Sequence, residues 1–183
     1  IAHDLDAKYI RVFSFYMQKE QKTEYQDQVV ERFREMVKAA ASAGVVLIHE
    51  NDAGLYGEGS IQCKYLLDSL NSPWLRAAFD PSNFLIAGEE PAEESFPRLT
   101  EYVSYLHVKD SVRGTGQIVI AGQGDARVRD VLAQIKNRED FYISLEPHLD
   151  FAGEARGFTG PELIQKDLDA LRGILEGLGV GAA

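Results

Sequence analysis

Apolar residues recur along this chain in two rhythms that alternate. Residues 8–16, KYIRVFSFY, are rich in β-branched and aromatic side chains and predict a strand. Over 26–43, Val29, Val30, Phe33, Met36, Val37 and Ala40 fall at the spacing of one helix face, and the pattern stops at Gly44. VVLIHE (45–50) predicts a second strand, followed by the glycine-rich loop NDAGLYGEG and a short helix over 60–69. LRAAFDPSN reads as a third strand closed by a turn signal, 97–105 as a short helix, and YLHVKD (105–110) as a fourth strand. A long loop through Gly114, Gly116, Gly122 and Gly124 leads to a helix over 126–136, a fifth strand in FYISLEPH (141–148), and a closing helix over 160–178. Pro161 suits the first turn of that last helix, and Leu163, Leu168, Leu171, Ile174, Leu175 and Leu178 form its apolar stripe. Strands alternating with helices predict an α/β fold of parallel strands joined by right-handed crossovers, and no linker composition divides the chain.

Four of the strands end in groups that are costly to bury unpaired. VVLIHE closes on Glu50, AAFD on Asp80, YLHVKD carries His107, and ISLEPH carries Glu146. In parallel α/β folds, functional groups gather at the C-terminal ends of strands, so these four side chains are expected around one rim. A single acidic residue at a strand end is commonly only a helix N-cap. Four consecutive strands with a metal-competent residue each point instead to a shared cation. Three carboxylates and one imidazole suit Mn²⁺, Mg²⁺ or Co²⁺, with Zn²⁺ less favoured. His49 adjoins Glu50 but should point to the opposite face of the strand.

Composition narrows the picture. Of 183 residues, 45% are hydrophobic, which is enough for a packed core. The formal charge is −10 with no basic cluster, which weighs against a nucleic-acid partner but not against a small anionic substrate held by one or two arginines. Cys63 is the only cysteine, so neither an intrachain disulfide nor a cysteine-based zinc site is expected, in keeping with a cytoplasmic protein. No apolar run approaches the length of a membrane span, and no membrane partner is expected.

The motifs HEN, FDPSNF, YLHVKD, LEPH and the terminal GFTGPELI, in this order and spacing, resemble the sugar isomerase/epimerase family with the xylose isomerase-like TIM barrel. That family includes ketohexose 3-epimerases and inosose dehydratases. The resemblance implies a (β/α)8 barrel, present only in part. KYIRVFSF matches the fourth strand and the ligand-bearing segments match the fifth to eighth. Residues 1–183 are then one domain whose three N-terminal βα units are expected to be missing, and such an open sheet should be poorly stable alone.

The same resemblance implies that Glu50, Asp80, His107 and Glu146 hold a divalent ion, with Mn²⁺ foremost and Mg²⁺, Co²⁺ or Zn²⁺ as alternatives. It implies a reaction in which a proton moves at the carbon beside a sugar carbonyl through an enediolate, with Glu50 and Glu146 as the acid–base pair. Arg113, Asn83, Asp110 and Arg156 are the implied substrate-binding residues, with a small sugar, sugar phosphate or cyclitol as the substrate. A homo-oligomer is compatible with the family, although the sequence carries no interface signal. Two positions depart from the ketohexose 3-epimerases. Asn83 stands where they carry a histidine three residues after the Asp ligand, and Tyr56 where they carry a glutamate six residues after the first Glu ligand, with Glu58 nearby. The wider family is implied, but 3-epimerase activity is not. Two other readings stay open: an inactive partial barrel or sugar-binding module, and an apurinic endonuclease-like hydrolase. The hydrolase needs more histidine ligands than a chain with four His supplies readily.

Overall fold

The computed structural model describes residues 1–139, 141–149 and 159–180. Five strands run parallel in one sheet of order β1-β2-β3-β4-β7: β1 (Tyr9–Val12), β2 (Val46–Glu50), β3 (Leu75–Phe79), β4 (Val103–Val108) and β7 (Tyr142–Leu145). The crossovers are helical: α1 (Lys22–Ala43), α2 (Ser60–Leu70), then α3 (Pro81–Ile86) leading through a π-helical turn at Pro91–Ser95 into α4 (Phe96–Leu99), and α5 (Val128–Ile135). Helix α6 (Pro161–Gly177) follows β7. Within the long glycine-containing segment, β5 (Asp110–Ser111) and β6 (Ile118–Val119) form a short antiparallel pair.

The sheet is strongly curled. In a flat sheet the first and fifth strands would stand about 19 Å apart. Yet the Tyr9 ring of β1 lies 5.3 Å from Tyr142 of β7, and both lie near Tyr105 of β4, at 6.2 and 6.0 Å. Only a concave face brings edge-strand side chains together, so the molecule is a partial TIM-type barrel. Alternate residues line that concavity. Arg11 pairs in register with Ile48, Ile48 with Arg76, Glu50 with Ala78, and His107 with Ser144. The helices cover the convex face. There α1 buries Val29, Val30, Phe33 and Val37, α2 buries Leu66 and Leu67, and α5 buries Val131, Leu132 and Ile135 in one continuous core. Among the described residues, no helix is long and apolar enough to cross a membrane.

Two of the differences from the sequence expectation have a plain physical reason. The helix expected over 97–105 ends at Leu99, because Val103 is fully buried and pairs with Ala77 as the start of β4. The apparent helical spacing came from joining a short helix to a strand. The first strand is also shorter than expected. After Val12 the chain leaves the sheet, and the Phe15 carbonyl accepts from the Tyr56 N–H at 2.9 Å.

The long loop after β4 is organised by Asp110, which is almost fully buried. Its Oδ1 accepts from the N–H groups of Ser111 (2.9 Å) and Ala126 (3.0 Å), and Oδ2 from those of Gly122 (2.8 Å) and Gly124 (3.0 Å). A Cβ on Gly124 would lie 2.4 Å from Asp110 Oδ1 and 2.6 Å from the Ser111 carbonyl oxygen, and a backbone oxygen cannot swing aside. Gly124→Ala is expected to cost about 1–3 kcal/mol by overpacking, seen as a lower urea midpoint at unchanged m-value.

Candidate metal centre

Each rim residue is positioned by a local device. Glu50 ends β2 on the concave side and is 2% exposed. Asp80 follows β3 and is the N-cap of α3, with Pro81 in the first turn. Its Oδ1 accepts from the Asn83 N–H at 3.0 Å, which leaves Oδ2 aimed elsewhere. One residue therefore serves both as helix cap and as rim carboxylate. Asn51 ties the two strand ends together. Its Nδ2 donates to the Asp80 carbonyl (3.0 Å), and its Oδ1 accepts from the Asp80 N–H (2.9 Å). Asn83 Nδ2 in turn donates to the Asn51 carbonyl at 2.9 Å. His107 lies on the concave side of β4, and the Glu146 N–H donates to the Val108 carbonyl at 2.9 Å, which sets Glu146 beside it.

Glu50, Asp80, His107 and Glu146 converge so that one potential donor atom from each lies within 4.8 Å of the others. His107 Nδ1 is 2.7 Å from Glu50 Oε1 and 3.8 Å from Glu146 Oε2. Two cationic side chains enter the same cluster. Arg11 Nη1 is 3.1 Å from Glu50 Oε2 and 3.3 Å from Glu146 Oε1. Lys109 Nζ is 2.7 Å from Asp80 Oδ2 and 3.3 Å from Glu146 Oε2. Glu50 Oε2 and Asp80 Oδ2 are buried, and each is met by a cation, Arg11 at 3.1 Å and Lys109 at 2.7 Å. Two buried carboxylate oxygens beside an imidazole form a donor set that fits a divalent cation.

The electrostatics follow from burial and these contacts. Burial raises the Asp80 carboxyl to about 6, against the pull of the Lys109 ammonium. Burial also pushes Glu146 upward, but Lys109, His107 and His148 together outweigh it and hold the group below the usual carboxylate range. Burial opposes the charged form of Lys109, yet Asp80 and Glu146 more than compensate and raise it.

The remaining expected residues lie in different settings. Asn83 is buried at the rim, in the bonds to Asn51 and Asp80. All four bonds of Asp110 run to the loop backbone. Arg113 is exposed, pairs with Glu90 at 2.8 Å, and donates its backbone N–H to Asp125 at 2.8 Å. Arg156 lies outside the described residues. His148 is half exposed, with Nε2 3.5 Å from Glu146 Oε1. The sequence reading passed over Arg11 and did not bring Lys109 into the cluster. Strand alternation carries the signal for Lys109, two residues past His107, whereas Arg11 is placed only by its pairing across strands with Ile48, itself two residues before Glu50.

His49 does face the other way. It is buried against Phe33 with ring centroids 5.6 Å apart, and burial lowers it to about 4. The sign follows from proton binding. Between pH 6.5 and 4 the unfolded chain takes up a proton that the folded imidazole refuses, so this contribution is complete above 6.5 and is lost as pH falls toward 4. At pH 5 the loss should be about 2 kcal/mol. Asp80, raised by burial, works in the opposite direction over part of this range. Urea unfolding of chelated protein at pH 7 and pH 5, for wild type and His49→Gln, isolates the imidazole: the variant should lack that part of the slope.

A family profile described as "Xylose isomerase-like TIM barrel" matches residues 1–174. No protein of curated function matches the chain in sequence. Solved structures do match in fold. A D-tagatose 3-epimerase-like protein aligns with TM-score 0.79 at 18% identity, over 97% of this chain and 66% of its own. The IolI protein with a bound zinc atom aligns with TM-score 0.76 at 19% identity, over 97% and 66%. A xylose isomerase domain protein from Planctomyces limnophilus aligns with TM-score 0.74 at 19% identity, over 97% and 62%. The chain thus spans somewhat under two thirds of the length of these structures.

Proposed function

Because the chain belongs to the xylose isomerase-like TIM-barrel family, we propose that it is a divalent-metal-dependent isomerase or epimerase of a sugar or related polyol, working by proton transfer beside a carbonyl. The observation that carries this reading is the convergence of Glu50, Asp80, His107 and Glu146 within 4.8 Å, with three of the four buried. These four residues would hold the ion, and the oxygen-rich set favours Mn²⁺ or Mg²⁺, although the similar IolI structure carries zinc. A cation there supplies polarisation of the substrate carbonyl and neutralises charge that develops beside it.

The protein's own groups do the rest. Glu146 is 24% exposed and held ionised by Lys109, His107 and His148, which suits a base that meets substrate and takes a proton from carbon. Glu50 is 2% exposed and bonded to His107, which suits a fixed partner that carries a proton at the start of a turnover and gives it to the other side, while Glu146 keeps the one it removed until exchange with solvent resets the pair. Arg11 and Lys109 keep both carboxylates in place between turnovers. The single thiol, Cys63, is buried and raised by burial, which is compatible with the cytoplasm as the place of action.

The test is solvent exchange. Metal-loaded protein is incubated with ketoses and polyol ketones in D₂O, and deuterium at the carbon beside the carbonyl is read by NMR. Incorporation into at least one compound is expected. A metal-loaded protein that exchanges nothing across the panel is a binding module or an inactive barrel.

A further inference from the structure

We infer that Asn51 and Asn83 are positioning residues that preset Asp80 against Glu50 for a divalent cation; this rests on the metal-centre reading above. Three side chains form a closed ring in which each bonds to the backbone of the next. Asn51 holds both backbone groups of Asp80: its Nδ2 donates to the carbonyl at 3.0 Å, and its Oδ1 accepts from the N–H at 2.9 Å. Asp80 Oδ1 accepts from the Asn83 N–H at 3.0 Å. Asn83 Nδ2 donates to the Asn51 carbonyl at 2.9 Å and closes the circuit. All three residues are buried.

The ring stands where the sheet stops holding the two chains. The register of β2 with β3 ends at Glu50 opposite Ala78, one residue before Asn51 and two before Asp80. Past that point the Asn51 side chain gives the N–H and C=O of Asp80 the partners that a longer ladder would have given. Asn51 directly follows Glu50, so the same ring fixes the backbone of one rim residue against that of another. A helix cap needs only the bond from the Asn83 N–H to Asp80. The other links make that cap rigid with respect to β2. A carboxylate that is free to rotate loses this freedom when it engages an ion, and a network that has fixed it beforehand removes the cost. With Oδ1 spent on the cap, Oδ2 is left turned to the rim, where it faces Lys109 at 2.7 Å. Buried polar networks rigidify a site when every member is satisfied. At position 83, where the ketohexose 3-epimerases carry a histidine, this chain has an amide whose nitrogen is committed to Asn51, so Asn83 acts on the centre through Asn51 and Asp80.

The test is a double-mutant cycle of Asn51→Ala and Asn83→Ala, with Ser82→Ala as the control. Ser82 adjoins Asn83 in α3, is buried, and donates to Ser111 Oγ at 2.7 Å, so its loss also removes a buried hydrogen bond from α3 but leaves the ring whole. Mn²⁺ dissociation constants are measured by EPR titration at a temperature where urea unfolding shows each chelated variant to be folded, and low-temperature spectra of the bound ion report the symmetry of its surroundings. Each asparagine variant should bind Mn²⁺ roughly tenfold more weakly, the effect of losing an outer partner of a metal ligand. The double variant should be little worse, far from the roughly hundredfold that two independent losses would give, because either cut opens the ring. The bound-ion spectrum should change in all three, while Ser82→Ala keeps the affinity and spectrum of wild type. Wild-type affinity in both asparagine variants overturns the inference and leaves the metal centre standing. Losses that multiply in the double variant overturn the ring as a unit. A loss in Ser82→Ala as large as in the asparagine variants traces the effect to a softened fold and overturns positioning. Should Asn51→Ala fail to fold with the Asp80 N–H left unpaired, Asn83→Ala against Ser82→Ala decides alone. Wild type that takes up no Mn²⁺ removes the metal-centre reading and this inference with it.

Discussion

Mn²⁺ added to chelated protein is expected to raise its unfolding temperature by about 5–10 °C at a free concentration a hundredfold above the dissociation constant. The size follows from linkage. A ligand that binds only the folded state at that excess contributes about 2.7 kcal/mol, and a chain of this length gains a few degrees per kcal/mol. Unfolded chain cannot reproduce a site built from four separate strand ends, so binding should be almost wholly to the folded form. Asp80→Asn is the sharpest variant for this test. Asparagine caps helices as well as aspartate does, so the bond from the Asn83 N–H can persist and α3 should start as before. What changes is the charge at Oδ2, the buried oxygen that faces Lys109. Metal affinity should fall by about a hundredfold or more. Metal-free stability should reflect two opposed effects, relief of the buried Asp80 charge and loss of the carboxylate that Lys109 meets at 2.7 Å, with Glu146 left as its partner, so it is measured alongside the metal affinity. If Mn²⁺ stabilises Asp80→Asn as strongly as wild type, the ion binds somewhere else.

Much of this site was legible in the sequence because each rim residue obeys a local rule: an apolar run, then a polar residue at its end. Glu50, Asp80, His107 and Glu146 could be read one strand at a time, and parallel order then implied that they share a rim. Arg11 resists that treatment. It lies in the middle of β1, where a lone charge reads as a solvent-facing residue, and its place depends on registering Arg11 against Ile48 across a crossover of more than thirty residues. Lys109 and Asp110 show how one step along a strand changes the outcome. Lys109 shares the face of His107 and reaches Asp80, while Asp110 turns away and gathers four backbone N–H groups of the loop. The boundary between α4 and β4 was misread for a related reason. Leu99, Tyr102 and Val103 are all buried, and their spacing imitates a helix face although the last begins a strand. The curl of the sheet was not readable locally at all, since it appears only when Tyr9 and Tyr142 meet.

Glu146→Gln, assayed at saturating Mn²⁺ so that weakened ligation does not intervene, should lower turnover by about 10²–10⁴-fold, the range that a positioned acid or base contributes. Gln keeps the shape and one oxygen for the cation but cannot accept a proton. Glu50→Gln should lower turnover by a similar factor, yet the two variants should differ in D₂O. If Glu146 removes the substrate proton, Glu146→Gln loses exchange of that proton into unreacted substrate. Glu50→Gln keeps the exchange and loses only conversion to product, because Glu146 can still take a proton and give back a deuteron from its own side. The asymmetry has a structural basis. Glu146 is reachable from the cavity and held ionised by Lys109, His107 and His148, whereas Glu50 is enclosed and bonded at 2.7 Å to His107. The opposite result, with exchange kept in Glu146→Gln and lost in Glu50→Gln, would reverse the two roles while leaving the pair intact. Undiminished turnover and metal content in Glu146→Gln would remove Glu146 from the reaction and leave the base to be sought elsewhere on the concave face.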